Sequence, residues 1–355
     1  MPAEEQIMAM LPLSILDLTN IESGTSSGAT LQVATELAQL ADRLGYHRYW
    51  FAEHHSAIGL ASGSPEIMIA HIASQTDRIH VGSGGVMLPN HAPLRIAEAF
   101  HLLEALHPGR IDLGLGRAPG TDPATTYALR RSEQAMGGDD YPQLLAELLA
   151  YDDGEFPEGH PFAKITVTPS DVKLPPLWLL GSSAFSGELA ARIGLGFSFA
   201  AHINPAGAPE VMRAYRRDFT TSPYLSAPRS ILAVSVVVGD TQEQAQELHQ
   251  IVKVGMAQLV VTGKPFQMPT QTQANAYEFS LAEIQRLGTM MPSAFVGTAA
   301  VVTEKVRLSA EECQADEVMI ATMLPNQVAR RRIVEQMASH WGPLPSADAE
   351  QVGAI

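Results

Sequence analysis

The order of apolar and polar residues along the chain predicts an α/β protein, a (β/α)8 TIM barrel with excursions after helix 4 and between strands 7 and 8. Three observations predict it. Short apolar runs of strand length alternate with longer stretches of helical periodicity, and the pair recurs eight times. Polar and glycine residues gather just after the carboxyl ends of the short runs, where a barrel carries its binding loops. The length, 355 residues, suits one barrel, read as a single domain over 1–341 with a frayed tail at 342–355.

The units follow in order. Residues 13–17 (LSILD) read as the first strand, and 30–44 as a helix whose Leu31, Ala34, Leu37, Ala38 and Ala41 form one stripe stopped by Gly45. The aromatic run 47–52 (HRYWFA) is the second strand, followed by a helix from Ser64-Pro65 to about Thr76 with proline in its first turn. Strand 79–83 and helix 94–106 make the third unit, strand 110–115 and helix 131–151 the fourth. Residues 152–175, rich in Pro, Gly, Asp and Glu, break the rhythm and are expected to hold one hairpin near 164–167. Strands 177–180, 196–200 and 231–238 resume it, with helices at 183–193, 209–220 and from Thr241 onward. A second excursion covers 262–292 before the helix 298–313, and strand 317–321 with helix 327–341 completes the count.

Composition narrows the function. With 46% hydrophobic residues, 17% charged and a formal net charge of −15, the chain lacks the basic runs that nucleic-acid binding needs. One cysteine, Cys313, excludes an internal disulfide framework, and the acidic start MPAEEQIMAM is unlike a signal peptide. No apolar run is long enough to span a membrane. The expectation is a cytoplasmic protein acting on a small molecule, without nucleic-acid or membrane partners.

Candidate residues lie after the strands. In RIDLGLGRAPG a buried strand ends on Arg117, and Gly114 and Gly116 keep the backbone slim for a planar ring or a phosphate. The glycines at 114, 116 and 120 miss the dinucleotide fingerprint. Ser182, Ser183 and Ser186 stand between a strand and a helix start, where free N–H groups and hydroxyls suit an anion, or where the serines simply cap the helix. With Arg117 on the neighbouring strand they form a candidate phosphate cradle. Glu53-His54-His55 invites a metal reading, but adjacent residues on an extended chain face opposite ways and no metal-ligand spacing appears, so no metal is expected. His54 suits acid/base work, its alternative being a hydrogen-bonded structural histidine. Gly84-Gly85 lets backbone approach a ring closely. No G-x-S-x-G elbow and no pair of strand-end carboxylates appear, which disfavours serine hydrolysis and glycoside cleavage. Phe51, Phe185, Phe199, Met87 and Met323 suggest an apolar pocket at the rim.

Three blocks, YWFAEHH, RIHVGSGGVMLPNHAPLRIAEAF and GRIDLGLGRAPGTD, resemble those of the bacterial-luciferase-like flavin monooxygenases, in particular their single-chain oxidoreductase subgroup. The likeness spans roughly 13–341. It implies the same barrel, reduced FMN as co-substrate with O2, a separate flavin reductase and an organic substrate. By motif it implies that His54 is the active-site histidine beside the flavin, that Gly84-Gly85 is a non-prolyl cis peptide under the ring, and that Arg117, Ser183 and Ser186 hold the phosphate. Gly116 stands where the light-emitting catalytic subunit has a reactive cysteine, and Ser182 replaces an acidic residue near the phosphate. Other branches use the deazaflavin F420, which also carries a phosphate, and some members bind flavin without turnover; both remain alternatives. A homo-oligomer is expected by the same analogy, with Ile67, Ile69 and Ile72 on its surface.

Overall fold

Side chains of successive strand residues point to opposite faces, and that period of two builds the wall of the molecule. The structure, a computed structural model, describes residues 11–131, 140–262, 266–342 and 344. Among the described residues ten strands form: β1 (Leu13–Asp17), β2 (Arg48–Phe51), β3 (His80–Ser83), β4 (Val86–Met87), β5 (Ile111–Gly116), β6 (Leu177–Gly181), β7 (Gly196–Ala200), β8 (Ser230–Gly239), β9 (Ala294–Thr298) and β10 (Glu317–Ala321). Eight close a parallel ring in the order β10-β1-β2-β3-β5-β6-β7-β8, with β8 pairing back to β10. The short β4 pairs with β5 outside that path, and β9 pairs with the far half of β8.

Alternation sorts the apolar residues into two cores. Leu16, Trp50, Trp178, Ile231, Ala233 and Met319 point into the lumen. Their neighbours Ile15, Tyr49, Phe51, Leu177, Leu179 and Leu232 point outward against the helices, in a larger core. Burial of each leucine, isoleucine, phenylalanine or methionine among them contributes about 1.5–3 kcal/mol.

The helices are α1 (Ser27–Leu44), α2 (Pro65–Ala73), α3 (Pro93–Leu106), α4 (Pro123–Arg130), α5 (Tyr141–Asp153), α6 (Ala184–Ile193), α7 (Ala208–Arg217), α8 (Gln242–Thr262), α9 (Gln271–Asn275), α10 (Leu281–Met290), α11 (Ala299–Cys313) and α12 (Gln327–Trp341). Gly45 ends α1 in the left-handed conformation at φ 85°, as its position after the apolar stripe predicts.

Toward the amino ends of the strands the lumen is closed by an ionic layer. Arg48 bonds Asp112 at 2.6 Å and Glu317 at 2.9 Å, Ser14 donates to Glu317, and the Trp50 indole donates to Asp112 at 3.0 Å. Arg48 also lies over the Trp178 ring at 4.9 Å. All three charged side chains are nearly inaccessible.

Several sequence expectations need correction. The fourth helix splits: α4 precedes it, with Asp122 accepting from the N–H groups of Ala124 and Thr125 and Pro123 at the first position. The expected 131–151 helix begins at Tyr141, and 132–139 lie outside the described residues. Residues 154–176 contain no strand, so the hairpin near 164–167 does not form. Aromatic contacts gather that segment instead, with Phe156 stacked on His160 at 4.8 Å and edge-on to Tyr151 at 4.9 Å. The excursion 262–292 holds α9 and α10, each opened by a capping box, Thr270/Gln273 and Ser280/Glu283. Ile69 and Ile72 face the core at 0% exposure, because a three-residue step keeps both on the inner face of α2, and only Ile67 points outward. Most of the 342–355 tail lies outside the described residues.

Candidate active site

At the carboxyl ends of the strands the lumen opens into a cavity of about 430 Å3. His54, Gly84, Gly85, Arg117, Ser182, Ser183 and Ser186, singled out separately in the sequence, all line it. Most of the remaining wall is apolar, including Leu16, Trp50, Leu180, Met319 and Met323. A second cavity of about 450 Å3 lies at the amino ends, where most of the charged lining is already engaged. There Arg48 is held by Asp112 and Glu317, Lys173 donates to the Asp152 carbonyl, and Tyr224 donates to Asp153 at 2.7 Å.

Of the five apolar residues expected at the rim, Met87 and Met323 line the carboxyl-end cavity. Phe51 and Phe199 instead pack outward, because their neighbours on the strand take the inward positions. Phe185 lies under the Arg117 guanidinium, 4.2 Å from ring centroid to Cζ. Among the described residues Arg117 makes no side-chain hydrogen bond or ion pair, so its N–H donors are unspent on an exposed side chain.

The serines after β6 face the same way. Ser183 occupies the N-cap position of α6, yet its hydroxyl makes no capping bond, so the simple capping reading fails for it. Ser182, Ser183 and Ser186 hydroxyls find no partner among the described residues. Asn204 donates to the Ser182 carbonyl at 2.9 Å and fixes the loop. Because β5 and β6 are paired neighbours, Arg117 and these hydroxyls flank one corner of the cavity, beside the unsatisfied N–H groups that begin α6.

The Gly84-Gly85 peptide is cis. A Cβ at Gly85 would stand 2.8 Å from the Gly114 carbonyl oxygen, whereas one at Gly84 would meet the movable Leu16 Cδ1 at 2.6 Å. Gly85→Ala is therefore expected to lose about 1–3 kcal/mol by overpacking against backbone, and Gly84→Ala less. Denaturant midpoints of the two variants check the order. Gly114 owes its place to packing rather than to a ligand, since its Cβ would lie 2.1 Å from the Ser83 carbonyl oxygen.

His54 Nδ1 lies 3.2 Å from the Gly120 carbonyl. A carbonyl only accepts, so Nδ1 carries the proton and Nε2 keeps its lone pair. Burial pushes this imidazole below its ordinary 6.5, against the opposing pull of the Gly120 carbonyl and Glu53, so it is neutral at neutral pH. It can accept a proton and return it.

Behind His54 stands a group that the sequence did not reveal. Glu53, 1% exposed, accepts from His55 Nε2 at 2.7 Å, from His91 Nε2 at 2.9 Å and from the Met87 N–H at 2.8 Å. Asn90 bridges Glu53 to the Pro119 carbonyl, tying the loops after β2, β4 and β5 together. The ligand atoms of Glu53, His55 and His91 lie within 4.8 Å of one another, a set capable of holding a metal ion. The separations of 2.7–3.0 Å are those of direct hydrogen bonds. Ligand atoms around a tetrahedral ion at about 2.0–2.1 Å would stand about 3.3 Å apart.

Burial alone would raise the Glu53 carboxyl, but His91, the Met87 N–H and His55 outweigh it and hold it below 4.5. Burial opposes protonation of His91, and Glu53 overcomes that and lifts it above 6.5. A lowered acid stabilises above its ordinary value, and a raised base stabilises below its own. The pair therefore contributes fully between pH 4.5 and 6.5, and its contribution declines as pH rises through the raised His91 value. The Tm difference between wild type and His91→Gln is expected to shrink from about pH 5.5 to about pH 9.

The luciferase-like monooxygenase family model matches residues 11–316. A luciferase-like monooxygenase of Escherichia coli (strain K12) is 38% identical over 322 residues, covering 90% of this chain and 94% of its own. The N-acetyl-S-alkylcysteine monooxygenase of Bacillus subtilis (strain 168) is 34% identical over 323 residues, covering 91% and 96%. The crystal structure of apo-MsnO8 superposes with a TM-score of 0.82 at 34% identity, over 94% of this chain and 98% of that one. No helix among the described residues is long and apolar enough to cross a membrane. The closed parallel barrel, the cavity at its carboxyl end and these likenesses agree: the chain belongs to the luciferase-like monooxygenase family.

Proposed function

We propose that the chain binds reduced FMN, delivered by a separate flavin reductase, and uses it with O2 to oxygenate a mainly apolar organic substrate. The observation that carries this reading is the convergence, on one cavity, of an unpaired Arg117, three unpartnered serine hydroxyls and a neutral His54. Arg117 and Ser182, Ser183 and Ser186 supply what a phosphate needs, a cation and several donors beside a helix N-terminus. The backbone at Gly84-Gly85, with no side chain in the way, offers a flat surface for a ring. Bound there in its reduced form, FMN supplies the two electrons with which O2 is divided between substrate and water.

The chain's own part is to shelter and to move a proton. The walls of Leu16, Trp50, Leu180 and Met319 exclude water, and the free lone pair of His54 Nε2 takes up a proton from the reacting centre and returns it.

The test is anaerobic titration with reduced FMN, with reduced F420 in parallel, followed by rapid mixing with O2. Tight binding of FMN and flavin reoxidation slower than in free solution are expected, with His54→Ala speeding reoxidation by about 100-fold. Failure to bind FMN in either redox state overturns the reading, and binding of F420 alone transfers it to hydride chemistry. Tight binding with reoxidation indifferent to His54 would leave a flavin carrier.

A further inference from the structure

Part of the cavity wall lies away from the Arg117 corner and the Gly84-Gly85 backbone. On the β7–β8 side stand Ser198, His202 and Ser235. In the eight-stranded ring β2 and β7 are four strands apart in either direction, so His202 follows the strand opposite the one that leads to His54. The rest of that wall is apolar, with Ala200, Ile203, Ala233, Pro292, Met319 and Met323 among its residues. Arg117 is the one charged side chain among the described residues lining the cavity.

His202 is set much as His54 is. Its Nδ1 lies 3.3 Å from the Ala233 carbonyl, which can only accept, so Nδ1 carries the proton. The Ser293 N–H donates to the His202 carbonyl at 2.8 Å and anchors the loop. Burial holds the imidazole below its ordinary 6.5, so it is neutral. Its Nε2, like the hydroxyls of Ser198 and Ser235, bonds none of the described residues. A neutral acceptor on an apolar wall costs desolvation unless something donates to it.

We propose that His202 Nε2 orients the substrate, accepting a hydrogen bond from an uncharged N–H or O–H group on an otherwise aliphatic molecule, with Ser198 and Ser235 completing the polar patch. This rests on the reading that the Arg117 corner and the Gly84-Gly85 wall are taken by the cofactor. A charged substrate finds no counter-charge on this wall. The patch sets which end of the molecule points to the β7–β8 wall, and so which atoms face His54.

The probes are two isomers of one formula, 1-heptanol, which has an O–H, and hexyl methyl ether, which has none. Their dissociation constants for the flavin-free full chain are read from the fluorescence of Trp50, which lines the cavity. Wild type is expected to prefer the alcohol by about five- to tenfold. The preference should vanish in His202→Leu, return in His202→Gln, whose amide oxygen restores an acceptor, and survive in His54→Leu. Equal affinities in wild type, a preference that survives His202→Leu or is lost with His54 instead, or no binding of either isomer overturns the proposal. The FMN titration above judges the cofactor reading separately, because no flavin is present when the isomers are compared.

Discussion

Arg48→Leu is expected to cost about 3–5 kcal/mol, the largest effect of any single change considered for this chain. Arg48 is the cation between two carboxylates, Asp112 and Glu317, that are 0% and 4% exposed. Its side chain is the one ion-pair partner the two share, beside the Trp50 indole on Asp112 and the Ser14 hydroxyl on Glu317, and the charge on Arg48 is the largest influence holding Asp112 below its usual carboxylate range despite complete burial. Without it two anions face each other inside the lumen, a repulsion that protonation relieves. The Leu variant should therefore unfold at a lower denaturant concentration, by a margin that narrows as pH falls. Adding Asp112→Asn and Glu317→Gln removes the stranded charges and should recover a large part of the loss, whereas additive losses would contradict the account. Chemical denaturation of the three forms at two pH values checks it.

Arg117→Ala is expected to weaken FMN by about 10- to 100-fold while leaving riboflavin within about twofold. The two ligands differ only by the phosphate, so the ratio isolates the group that Arg117 is proposed to meet. The stacking on Phe185 holds the guanidinium without consuming its donors, which is why the loss should fall on affinity and not on fold. Arg117→Lys should recover part of the binding, because a point charge replaces the planar fork. Equal losses for both flavins would remove the phosphate role. Fluorescence titration of each variant with each flavin measures the ratio.

The barrel was readable because each strand carries its own local signature. In RYWF and LWLL alternation separates lumen from helix-facing residues, and three strands, 13–17, 196–200 and 317–321, match to the residue. The site loops were readable because His54, Arg117 and Ser183 sit within a few residues of strand ends. What escaped depends on contacts distant in sequence. Glu53 meets His91 across 38 positions, and nothing in either neighbourhood marks the other as its partner. Arg48, Asp112 and Glu317 read as ordinary strand residues until the ring brings them together. His202 shows only as one histidine in a loop, since its value depends on which atom the Ala233 carbonyl leaves free. Two misses were legible after all. Asp122-Pro123 is a helix start, and Thr270/Gln273 with Ser280/Glu283 are capping boxes.

Strand β8 is forked. Ser235 is paired with Ala321 of β10 on one side and with Ala294 of β9 on the other. Below it the strand closes the ring, and above it the strand carries the separate pairing to β9 that ends the α9–α10 excursion. The excursion is thus a cassette clipped to the barrel rather than a piece of it, and lengthening a loop of this kind costs chain entropy only slowly. Pro292, just before β9, lies on the cavity wall with Ser235, while Arg117, Ser183 and the Gly84-Gly85 corner hang from β3, β5 and β6. One part of the chamber can be remodelled by exchanging the cassette while the other keeps its shape, so on the proposed reading the substrate end can diversify without disturbing the cofactor end.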